Sequence, residues 1–298
     1  MLSNTAQYGL YLAFLIPAIL CSLFVLYYLL FDRALRQALS NHVIIVLALI
    51  AFIQQMTIYP GIVYFYSRNG IWERPLIFCE IWGLLDWGLY IVQTMVFAWA
   101  TVERHILIFH DKWVSTKKKR FFVHYFPLIF LLVYCFSLYS MIYFYPPCEN
   151  SLLDGYPLCV VACFQSNYVF YMWEAIVHQI IPSLIIVLFS IALFSRILWQ
   201  KHRMNQPINW RKHRKMAVQL LSISLLYLIF SFPPALATTT TFINPAVNLT
   251  IDTWEYLSLL TYFTYLLFPF VCAMSLPNLR TKLANLLFLK RRTRKIHP

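Results

Sequence analysis

The chain has 298 residues, of which 61% are hydrophobic and only 12% charged, with a mean hydropathy of +0.66. Soluble domains carry about 25% charged residues, so this composition excludes a water-soluble globular protein and points to an integral membrane protein, one domain of several spans. A formal net charge of +13 suits nucleic acid as a partner in principle, but the placement of the charges argues against it.

Residues 1–7 form a short polar N-terminus. The stretch 8–31 is long enough to cross a bilayer, and it lacks the basic start and short apolar core of a signal peptide. A brief basic turn precedes a second span, 42–66, in which Pro60 should kink the far end. After a loop at 68–75 the third span runs to about residue 109. The basic run Lys117-Lys118-Lys119-Arg120 leads into a fourth span, 121–145. The loop 146–167 carries three cysteines. The fifth span, 168–199, contains Pro182, and a basic loop follows. The sixth span, 214–241, is broken by Pro233-Pro234, and the seventh, 252–275, contains Pro269. From Pro277, an amphipathic segment places Leu279, Leu283, Leu286 and Leu287 on one face, the pattern of a helix lying in the membrane interface. The basic tail completes a region 276–298. The expected fold class is an all-α membrane protein, a seven-transmembrane helix bundle over 8–275 with a short C-terminal interfacial helix.

Seven spans put the termini on opposite sides, and charge orients them. Of 24 Lys and Arg, 22 fall on the side of the C-terminus, leaving Arg68 and Arg74 on the other, while eight of the eleven acids fall outside or in the outer half. By the positive-inside rule the C-terminus is cytoplasmic and the N-terminus is outside. The net charge is then mainly a topology signal and an affinity for anionic lipid.

The third span organises the rest. Cys79 and Arg104 are 25 residues apart, ~37 Å on a helix rising ~1.5 Å per residue, about the thickness of a bilayer with its headgroups. Between them Asp86, Tyr90, Gln93/Thr94, Phe97, Thr101 and Arg104 recur at steps of three and four, which puts most of the polar groups on one stripe facing the bundle interior.

On these features the chain resembles the rhodopsin-like (class A) G-protein-coupled receptors, in a divergent branch like the orphan receptors of invertebrates. The resemblance covers about 8–289. Cys79 and Arg104 stand at that family's spacing between a disulfide cysteine and the arginine of an acid-Arg-Tyr motif, here Glu103-Arg104-His105. Leu47-Ala48, Pro182, Phe230-Ser231-Phe232-Pro233 and Phe268-Pro269-Phe270-Val271-Cys272 match further motifs. The departures are as informative. Ala51 stands where the family usually has a sodium-binding aspartate. Phe268 and Cys272 replace the Asn and Tyr of the seventh-span motif, and Ser231 or Phe232 replaces the sixth-span tryptophan. The inner end of the sixth span, His213-Arg214-Lys215, offers no acid to latch Arg104.

The resemblance implies a receptor that takes an extracellular small-molecule or peptide ligand, activates a heterotrimeric G protein and resides in the plasma membrane. It implies no cofactor, no metal and no enzymatic chemistry. Glu103 and Arg104 are the expected switch, paired at rest; a juxtamembrane ion pair is the plainer reading. Cys79 is expected to bridge to the long outer loop. Three loop cysteines compete, and Cys163, nearest the fifth span, is the expected partner, with Cys148 and Cys159 as a second bridge; sequence does not fix connectivity. Asp86 occupies the position from which amine receptors bind a ligand cation, and Tyr262 the position that hydrogen-bonds that acid. Tyr90, with Trp82, Trp87 and Trp173, would add cation–π faces, and Glu174 and His178 would face the same cavity. The alternative is a structural Asp–Tyr–His network. Asn248-Leu249-Thr250 is a glycosylation sequon. A seven-helix transporter or channel is the competing functional class.

Overall fold

The structure, a computed structural model, describes residues 3–70, 74–152, 160–203, 210–244 and 250–275. The interfacial segment and tail, Asn248 and Cys159 lie outside the described residues. Among the described residues, seven helices are long and apolar enough to cross a membrane: α1 (Asn4–Phe31), α2 (Leu39–Ser67), α3 (Leu76–Phe109), α4 (Lys117–Phe144), α5 (Tyr168–Arg196), α6 (Leu220–Thr241) and α7 (Thr253–Ser275). They form an all-α, multi-pass bundle. α3 is its centre, packed against α2, α4, α5 and α6. The expected stripe is buried from Tyr90 to Arg104. α4 lies at the edge, and Phe126, Ile129, Phe130, Val133 and Phe136 stay exposed, as a lipid-facing side should be. α4 also starts earlier than its apolar run, at Lys117, because the Thr116 hydroxyl caps the Lys119 amide and Lys and Arg are good helix formers.

Three spans contain a π-helical turn: Leu84–Gly88 in α3, Phe121–Tyr125 in α4 and Ala175–Ile180 in α5. Two have an evident cause. A proline has no N–H to give the carbonyl four residues before it. Pro127 therefore leaves the Val123 carbonyl without its usual donor, and Pro182 does the same to His178. Each π-turn lies just upstream of its proline, where an i→i+5 pattern re-satisfies the freed groups. In α3 the π-turn ends at Gly88 and begins beside Gly83. A Cβ on Gly83 would stand 2.4 Å from the Tyr143 ring and 2.9 Å from Val160, so glycine lets α3 run against α4 and the loop above.

That loop is a small hairpin. β1 (Ser151–Leu152) pairs antiparallel with β2 (Val160–Val161), Ser151 opposite Val161. The same register brings Cys148 near Cys163, and those two form the disulfide, with Cα atoms 5.7 Å apart. This corrects both expected bridges: Cys163 is taken by Cys148, so it cannot hold Cys79, and Cys148 cannot hold Cys159. Cys79 is disulfide-bonded as well, while Cys21, Cys135 and Cys272 are free. Asn150 docks the hairpin to the helices. Its amide donates to the Glu80 carboxylate (3.1 Å) and the Tyr143 carbonyl (3.0 Å), and its oxygen accepts from the Cys163 amide (3.0 Å).

α6 belongs to a helix that breaks at Ser231. Pro233 and Pro234 occupy the first turn of the new segment, where missing N–H groups cost nothing. The Ser231 hydroxyl meets the Thr264 hydroxyl of α7 at 2.8 Å, both buried. Ala51 offers no side-chain hydrogen bond, and the polar tie in this part of α2 is made one turn further on. Gln55, fully buried, accepts from the Ser22 hydroxyl of α1 (2.7 Å) and donates to the Tyr265 carbonyl of α7 (2.9 Å). Gln55→Leu should therefore lower stability by roughly 1–2 kcal/mol, the scale of interhelical hydrogen bonds in membranes. A thermal unfolding series in detergent, with Ser22→Ala as the milder partner, checks this.

Candidate functional site

Asp86 lies in the π-turn of α3. A π-turn inserts one residue and turns the following side chains to a new face, a feature common at functional sites. Here it aims Asp86 across the bundle at α7, where the Tyr262 hydroxyl donates to the carboxylate at 2.8 Å. The expected partnership is therefore present. The backbone of the π-turn is held too: the Gln54 amide, almost wholly buried, donates to the Asp86 carbonyl (3.3 Å). Tyr262 is fixed from behind by the Tyr59 hydroxyl, which donates to its carbonyl. Tyr11 packs edge-on against Tyr262 (6.3 Å) and stacks with Tyr66 (5.8 Å). Asp86 and Tyr262 are both partly buried and sit on inward faces of α3 and α7.

The other expected binding residues belong to a different cluster. Glu174 of α5 is fully buried and accepts from Trp87 Nε1 (3.2 Å), Tyr139 Oη and Gln179 Nε2 (3.2 Å). His178, also fully buried, meets the Tyr134 hydroxyl at 3.0 Å and packs edge-on against Trp173. Tyr90 is buried and packs on Trp87. Glu174 and His178 thus tie α5 to α3 and α4. Of the three residues expected around one cavity, Asp86 is partly buried whereas Glu174 and His178 are fully buried. A sealed carboxylate needs several donors to remain in place, and three converge on Glu174.

At the other end of α3 the expected ion pair is not the one formed. Glu103 is hydrogen-bonded to His124 Nδ1 of α4, both side chains being buried. His124 Nε2 meets His42 Nδ1 of α2 at 3.1 Å, and His42 Nε2 meets the Arg36 carbonyl at 2.9 Å. Every ring nitrogen of His42 and His124 therefore has a polar partner. Arg104, also buried, turns away and donates to the Ser40 carbonyl of α2. The π-turn before Pro127 is what presents His124 here. Arg104 is thus held by a backbone oxygen rather than by Glu103.

No family model matches this chain, and no curated protein does so either. The sites therefore stand on the chain's own geometry. Sequence reading missed His42, His124, Gln55 and Asn150. The one available signal was positional: His124 lies three residues and His178 four residues before a proline inside a span.

Removing His124 should leave Glu103 buried without a partner, a loss of about 3–5 kcal/mol. His124→Leu should therefore destabilise far more than the combined change Glu103→Gln with His124→Gln, in which two amides can bond each other. Thermal unfolding of the purified variants in detergent decides this, and equal losses would show that the pair contributes little.

Proposed function

We propose that this protein is a rhodopsin-like G-protein-coupled receptor of the plasma membrane, with its N-terminus outside. It binds an extracellular cationic ligand, a biogenic amine or a basic peptide, and activates a heterotrimeric G protein, without bond-making chemistry of its own. One observation carries the reading. A partly buried carboxylate, Asp86, is held by Tyr262 in one half of a seven-helix bundle, and the same helix delivers a buried arginine, Arg104, at its other end.

The physical logic is a shift between two states. A ligand ammonium gains a charge-assisted hydrogen bond to Asp86 in a space with little competing water. If the bond is stronger in one arrangement of α3 and α7 than in another, binding moves the population. At the inner end Arg104 is restrained by one carbonyl, that of Ser40, a contact that a G-protein segment can replace without first breaking an acid–arginine pair. Glu103 makes no hydrogen bond to it and instead locks α3 to α2 and α4 through the histidines. The break at Ser231 and the prolines of α5 and α7 provide places for the helices to bend. A transporter would be favoured by polar groups strung along a path through the bundle, whereas the buried acids Glu103 and Glu174 are each closed off by helix-to-helix bonds.

Asp86→Asn should lower agonist potency about 10- to 100-fold, the scale of a charge-assisted hydrogen bond worth roughly 1.5–3 kcal/mol, with surface expression unchanged. Dose–response curves for amines and basic peptides in cells expressing the protein measure this, and an unaltered potency rejects Asp86 as the anchor. Arg104→Ala should retain ligand binding and lose nucleotide exchange in reconstituted membranes; ion flux persisting without G proteins would instead revive the channel reading.

A further inference from the structure

The π-turns of α4 and α5 each precede a proline, but α3 contains none. Gly83 and Gly88 permit the turn Leu84–Gly88 without holding it. A π-turn is rare beside regular α-helix, so this one needs a partner from outside α3. Asp86, the middle residue of the turn, has two. Its carbonyl accepts from the Leu89 amide of its own helix and also from Gln54 Nε2 of α2, at 3.3 Å, which uses both lone pairs. Its carboxylate accepts from the Tyr262 hydroxyl of α7 at 2.8 Å. α2 and α7 are themselves joined nearby, since Tyr59 of α2 donates to the Tyr262 carbonyl. The outer end of α3 is fixed: Cys79 is disulfide-bonded, Glu80 accepts from Asn150, and Gly83 lies against the Tyr143 ring. Below the turn the stripe from Tyr90 to Arg104 is buried. A regular α-helix advances ~100° per residue, so a return to α geometry between these two ends would swing the Asp86 side chain off its line to α7.

We propose that Gln54 is the positioning residue of the site. By holding the Asp86 carbonyl it fixes the π-turn, and the π-turn directs the carboxylate to Tyr262 and to the ligand. The proposal rests on the receptor reading in one respect only, that Asp86 anchors the ligand; Gln54 itself touches none. Gln54 is buried, and inside a bilayer no water replaces its bond when the amide is lost. The Asp86 carbonyl would still keep the Leu89 amide, so removing Gln54 leaves no unpaired backbone group to break the helix. What it removes is the constraint that favours π over α geometry at this point.

The experiment is infrared spectroscopy of the purified full-length protein in lipid nanodiscs, with aspartate isotope-labelled at its side-chain carboxyl carbon. The Asp86 band is the one that Asp86→Asn removes, and Tyr262→Phe gives its shift when the hydroxyl bond is lost. Gln54→Met keeps the length and helix preference of the side chain but cannot donate, and it is expected to shift the band in the same direction as Tyr262→Phe. Ser190→Ala removes the hydroxyl pair that Ser190 and Ser224 form between α5 and α6; it is expected to leave the band in place, which separates positioning from general loosening of the bundle. A band unmoved by Gln54→Met, or moved equally by Ser190→Ala, overturns the proposal. Neither result touches Asp86 as an anchor, which the agonist dose–response curves decide separately, and the infrared test needs no ligand. If Gln54→Met fails to fold, the unaltered protein still answers. Solid-state NMR is expected to show a dipolar coupling between labelled glutamine side-chain nitrogen and labelled aspartate backbone carbonyl carbon, and its absence overturns the proposal.

Discussion

An ionisable or amide group inside a bilayer has no water to bond, and each one left unpaired costs several kcal/mol. This constraint explains why several buried polar side chains of this bundle are joined helix to helix. Gln55 links α1, α2 and α7; Glu174 links α5 to α3 and α4; Glu103 and His124 link α3 to α4, and His42 extends the link to α2. Apolar side chains cannot specify such a bundle, because lipid tails satisfy them as well as another helix does. The polar ties supply the register. Asp86 departs from this pattern, since it is bonded yet only partly buried, the difference on which the proposed ligand anchor rests.

The ties depend on local helix distortion. A regular α-helix repeats its inward face every 3.6 residues, so a polar group off that stripe points toward lipid or a neighbour's flank. The three π-turns change the phase just where Asp86, His124 and His178 occur. In α4 and α5 the cause is a proline a few residues on, so one covalent feature, a missing N–H, ends up selecting which histidine faces inward.

Much of this was legible in the sequence. Hydropathy and length located the seven spans, because in a membrane the spanning element must satisfy its own backbone and few solutions exist. The Asp86–Tyr262 pair was legible through spacing shared with a known receptor pattern. The pairing of Glu103 was not. Adjacent acid and arginine in sequence suggest each other, yet residues one apart on a helix point in different directions, and His124 lies on another helix at a phase set by a π-turn. The cysteine connectivity was equally hidden, since it follows from a two-residue strand pairing and one docking asparagine. Gln55 carried no signal of its own, since a lone amide in a span shows its role only when Ser22 of α1 and the Tyr265 carbonyl of α7 are brought beside it.

The break at Ser231 has a mechanical consequence. The helix before it, Trp210–Phe230, is 21 residues long, a rod of ~31 Å. The segment after it is short, and the break itself is pinned to α7 through Thr264. The two parts make an unequal lever with its fulcrum inside the bilayer. A tilt of about 10° at Ser231 carries the far tip of the long arm by ~5 Å, while groups near the pin scarcely shift. Small rearrangements beside α7 are thereby magnified at the basic end of the bundle, and no side chain at that end has to sense them directly.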